Sequence, residues 1–68
     1  MDKQRLDRFI ACAKYFDVKI GTKYIWVNDS HTSVIMNPDT KWKDFLGYSI
    51  LQIAELLSNE LNKKIRWM

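Results

Sequence analysis

Leu6, Phe9, Ile10, Ala13 and Phe16 recur at three- and four-residue steps, the spacing of one stripe on a helix. Lys3, Gln4, Asp7, Arg8, Lys14 and Asp17 fall on the other faces, so the pattern predicts a helix over residues 2–16. Asp2 at its start and Lys14 near its end suit the helix dipole. The pattern then becomes alternating and β-branched. Val18-Lys19-Ile20, Lys23-Tyr24-Ile25-Trp26-Val27 and Thr32-Ser33-Val34-Ile35-Met36 read as strand segments. The turn-forming cluster Asn28-Asp29-Ser30-His31 between the last two predicts a hairpin. Gly21-Thr22 is either a second tight turn, which makes a three-stranded meander, or a bulge in one long first strand.

Asn37 as a cap, Pro38 at the first helical position and Asp39 in the first turn open a short helix. It carries Trp42, Phe45 and Leu46 on one side and stops at Gly47. Ser49 then begins the longest element. Ser49 and Gln52 form a capping box, and Tyr48 and Ile53 a hydrophobic staple. Ile50, Ile53, Ala54, Leu57, Leu61 and Ile65 make a continuous stripe, with Gln52, Glu55, Asn59, Asn62 and Lys63 facing away. Lys63 and Lys64 suit the negative end of that helix. The expected fold is α+β: an N-terminal helix, a small antiparallel hairpin or three-stranded meander, a short helix, then a long C-terminal helix. The helices cover one face of the sheet in two-layer packing. No repeat or linker divides the chain, so residues 1–68 read as a single small globular domain.

Composition narrows the functional classes. At 47% hydrophobic and 28% charged residues with two glycines, the chain is neither disordered nor fibrous. One cysteine excludes an internally stapled secreted scaffold. Ordering a residue costs about 1.5 kcal/mol, so a chain this short must commit its apolar side chains to its own folding. Little is left for a substrate cavity, and the expectation is a protein that is not an enzyme, with no cofactor and no small-molecule substrate. Met1 to Arg8 is too charged for a signal peptide, and no apolar run reaches the length of a membrane span. A cytoplasmic location without membrane contact is expected.

Chemical constellations are sparse. A single cysteine, Cys12, and a single histidine, His31, are too few ligands to suggest a metal site; His31 reads as an exposed turn residue and Cys12 as a small buried hydrophobe. Asp29, Ser30, His31 and Ser33 crowd one turn and do not spread into a catalytic set. Glu55 and Glu60 point in different directions on their helix.

Two binding modes remain. The net charge is +3, with basic residues concentrated toward both ends. The short helix, the turn at Gly47 and the long helix have a helix-turn-helix layout. Gln52 and Asn59 would then contact bases, and Lys3, Arg5, Arg8, Lys63, Lys64 and Arg66 phosphates. Against this, the long helix has no basic residue before Lys63, and Glu55 would face phosphates. Tyr24 and Trp26 share a strand face that would stack bases if open, although they read more simply as core beneath the helices. The other mode is a protein interface. Leu51 and Leu56 widen the apolar stripe, and Arg66-Trp67-Met68 joins three residue types enriched at interfaces. Trp67 either folds back on the core or, with Met68, faces a protein partner or a second copy in a homodimer. The favoured expectation is a non-enzymatic binding domain acting through a protein–protein interface, as a regulator or inhibitor of a larger partner. The alternative is a small basic nucleic-acid-binding protein with a helix-turn-helix-like C-terminal half.

Overall fold

A computed structural model describes residues 1–28, 33–36 and 39–68. Helix α1 spans Lys3–Tyr15, and the Asp2 side chain caps it by accepting the Arg5 N–H at 2.8 Å. Its C-terminal end turns at Asp17, a non-glycine residue at φ 66°, and the Val18 N–H returns to the Ala13 carbonyl. Phe9, Cys12 and Ala13 form its buried face.

Strands β1 (Lys19–Ile20) and β2 (Tyr24–Val27) pair antiparallel, Lys19 opposite Trp26 and Ile20 opposite Ile25. Of the two readings of Gly21-Thr22, the tight turn is the one formed: the Gly21 N–H donates to the Tyr24 carbonyl at 2.8 Å. A Cβ at Gly21 would lie 3.1 Å from that same carbonyl oxygen, which favours glycine there.

The second expected hairpin is not formed. Ser33, Val34 and Ile35 turn away from β2 and pair with the segment that opens the next helix. Val34 bridges Ser49, the Ile35 N–H bonds the Tyr48 carbonyl, and the Ile50 N–H bonds the Ser33 carbonyl. The expected turn at Asp29, Ser30 and His31, and the cap at Asn37 with Pro38, lie outside the described residues. The short helix is a 3-10 helix over Thr40–Phe45, with Trp42 at non-helical angles inside it. Trp42 and Phe45 are buried, whereas Leu46 is exposed.

Helix α2 covers Ile50–Leu61, and the Ser49 side chain accepts the Gln52 N–H at 2.9 Å. Expected to carry its stripe to Ile65, the helix is shorter and is not the last element. Asn62 adopts the left-handed conformation (φ 54°, ψ 48°), which ends the helical ladder. The chain then extends as β3, Lys64–Trp67, which pairs parallel with β2. Ile65 keeps its apolar role, but as a strand residue opposite Ile25, packed against the core. The result is a mixed three-stranded sheet in the order β1-β2-β3. Its parallel pair needs a crossover, which the stretch bearing α2 supplies.

The two helices pack on each other, α2 on β2 and β3, and α1 on β1. Phe9, Ile25, Ile53 and Leu57 are fully enclosed where these elements meet. Phe9 meets Phe45 edge-on at 4.8 Å between ring centroids and Tyr48 at 5.9 Å, joining α1 to the 3-10 helix. No helix among the described residues is long and apolar enough to cross a membrane.

Candidate nucleic-acid interface

Alternation along β2 decides which side chains remain accessible. Ile25 and Val27 are fully buried beneath α2, so Tyr24 and Trp26 must project from the opposite side of the sheet. They are not the core pair that their hydrophobicity suggests. Ile25 and Val27 fill that role, and Trp26 retains 37% of its surface. Pairing then places cations around them. Lys19 of β1 and Arg66 of β3 flank Trp26, and Lys64 stands beside Tyr24. All three cations are exposed, and the three strands contain no acidic residue. The Tyr24 and Trp26 rings meet at 5.8 Å with their planes at 72°. The Arg66 guanidinium lies 4.8 Å from the Tyr24 ring centroid, a cation–π contact. This face combines the two parts of a single-strand binding surface, aromatic planes and positive charge.

The eight residues of the helix-turn-helix reading do not come together. Gln52 and Asn59 are exposed on α2, but they share that helix with Glu55 and Glu60 and with no basic residue. The start of α2 is paired with Ser33, Val34 and Ile35, and its apolar side is buried against α1 and the sheet, so it does not protrude as a reading helix would. Lys3, Arg5 and Arg8 lie on α1, away from the open sheet face. Arg8 is tied to Asp44 at 2.6 Å and leans on the Phe45 ring, and Arg5 lies over Phe9. Lys63 donates its ammonium to the Gly21 carbonyl at 2.6 Å, and its own carbonyl accepts the Ser58 hydroxyl. Of the expected phosphate contacts, Lys64 and Arg66 alone stand on the aromatic face. Tyr24 and Trp26, the pair that the sequence offers for stacking only if their face is open, and Lys19, which the sequence does not single out, complete it.

Lys63 therefore acts as a structural clasp between the β1–β2 turn and the end of α2. Lys63→Met is expected to lower stability by about 1.5–3 kcal/mol, the worth of a charged hydrogen bond, in thermal or urea unfolding. Lys64→Met, at an exposed strand position, should leave stability nearly unchanged.

Of the expected protein-contact residues, Arg66 stands on the aromatic face. Leu51 is half-buried, and Leu56 is half-buried against the core. Trp67 and Met68 are 54% and 51% exposed at the end of β3. Register puts Trp67 on the same side as Val27, but at the end of the sheet it is only partly covered.

Cys12 is fully enclosed, and burial pushes its thiol up to about 11 from an ordinary value of 9.0. The folded chain holds this proton more tightly than the unfolded chain does. The stability this contributes is complete below pH 9 and is lost as pH rises toward 11. Over that window, unfolding midpoints of the wild type should fall more steeply than those of Cys12→Ala. Parallel slopes would show that the thiol is not enclosed.

No protein-family model, no curated protein and no solved structure matches this chain.

Proposed function

We propose that this chain is a single small non-enzymatic domain that binds single-stranded nucleic acid on the open face of its sheet. The helices form one layer behind, and the sheet presents Lys19, Tyr24, Trp26, Lys64 and Arg66 in front. The carrying observation is that two aromatic rings and three cations share one face of three strands that contain no acidic residue. Aromatic planes gain stacking energy only from bases that are free to splay out, and a duplex keeps its bases stacked inside. The cations neutralise the phosphates that accompany those bases. A cytoplasmic location belongs to the same reading.

A protein partner is the second reading, favoured by the half-exposed Trp67 and Met68. It would make the chain a regulator or inhibitor docking through the end of β3. The two readings differ in their salt response, because an apolar contact barely responds to ionic strength.

The test is a fluorescence-anisotropy titration of a labelled single strand and its matching duplex over a series of salt concentrations. The single strand should bind more tightly. Its log affinity should fall linearly with log salt at a slope of about −2, three cations at roughly 0.7 each. Equal binding of the duplex, or a flat salt response, overturns the proposal.

A further inference from the structure

We infer that the sheet face takes one unpaired base, on Trp26, and that Tyr24 takes none, serving instead to hold the Arg66 guanidinium for a phosphate beside that base. The inference rests on the nucleic-acid reading above and specifies its ligand: one splayed nucleotide with a flanking phosphate, not a run of stacked bases.

Three features carry it. First, Arg66 is the register partner of Trp26, yet its guanidinium lies over Tyr24, 4.8 Å from the ring centroid. It thereby covers a ring face that a base would need and leaves its own neighbour. Second, Tyr24 is half-buried, whereas Trp26 is exposed. Third, the two rings stand at 72° to each other. Consecutive bases that stack on one another are parallel, so such a pair cannot lie flat on both rings at once. A strand must give up its own stacking to use both, and it must also displace Arg66. A base lying flat on Trp26 meets neither obstacle, and it places its phosphate among Lys19, Lys64 and Arg66. A guanidinium pinned by a ring loses less freedom on meeting a phosphate than one that is free in solvent.

The experiment compares affinity and salt slope for one labelled single strand across Trp26→Leu, Tyr24→Leu, Tyr24→Phe, Arg66→Met and the double variant Tyr24→Leu/Arg66→Met, each first checked for folding by circular dichroism. Trp26→Leu should weaken binding at an unchanged slope, since a plane is lost and no charge. Tyr24→Leu and Arg66→Met should each flatten the slope, Arg66→Met by about 0.7, one phosphate's share. The double variant should be no weaker than Arg66→Met alone, because Tyr24 acts through Arg66. Tyr24→Phe, which keeps the ring, should bind as the wild type does. If Tyr24→Leu weakens binding at full slope and adds to Arg66→Met, Tyr24 stacks a base itself and the inference fails while the nucleic-acid reading stands. If no variant changes binding, the sheet face is not the site and both fail together.

Discussion

With Trp26 replaced by alanine, the chain should still fold but bind a single strand about 5- to 150-fold more weakly. That range is the worth of one stacked base, about 1–3 kcal/mol. Trp26 is 37% exposed, so part of it also packs within the protein, with its ring against that of Tyr24. Losing that ring contact adds a stability cost of about 0.5–1.5 kcal/mol. The two effects separate cleanly. Stability is read by thermal unfolding, and affinity is read by anisotropy well below the melting temperature. Trp26→Phe is the control: it restores an aromatic plane and with it most of the binding. An alanine variant that binds as tightly as the wild type would remove Trp26 from the site.

Phe9→Ala should produce the largest loss of stability. Phe9 is 1% exposed and packs in one cluster with the aromatic rings of Phe45 and Tyr48. Truncating an enclosed phenylalanine costs about 3–5 kcal/mol, partly for lost burial and partly for the cavity left behind. A chain of 68 residues has roughly 3–10 kcal/mol of total stability. The variant therefore loses a large share of its margin, and its urea midpoint should drop steeply or vanish. Phe9 is far from the open sheet face in its role, so the folded fraction that remains should keep its salt slope. A midpoint close to that of the wild type would contradict the placement of Phe9 at the junction of α1 and the 3-10 helix.

The helices were the most legible part of the fold. The stripe through Leu6, Phe9 and Ala13, headed by Asp2, and the capping box at Ser49 mark where α1 and α2 begin. The end of α2 was harder, because Ile65 continues the helical spacing from Leu61 while serving as a strand residue. Burial demands an apolar side chain there in either conformation. The local sign of the break was Asn62, a residue type that tolerates left-handed angles. Parallel pairing of β2 with β3 left no such sign. It joins residues about 40 positions apart, such as Ile25 and Ile65, and short-range turn signals cannot reveal it. The same ambiguity hid the site. All four residues of β2 are hydrophobic, so alternation alone does not say which pair faces inward. Only pairing with Lys19 on one side and Lys64 and Arg66 on the other turns Tyr24 and Trp26 into a charged aromatic surface. Charge read along the chain instead gathered Lys3, Arg5, Arg8 and Lys63 into the expected site. Folding ties Arg8 to Asp44 and Lys63 to Gly21.

The most direct measurement is a heteronuclear NMR titration with a short single-stranded oligonucleotide. The largest amide shifts should fall on Lys19, on Tyr24–Val27 and on Lys64–Trp67, and the Trp26 indole N–H should move with them. Gln52, Asn59 and the basic residues of α1 should scarcely respond. Shifts centred on α2 or α1, or a spectrum that stays still at saturating oligonucleotide, would contradict the account.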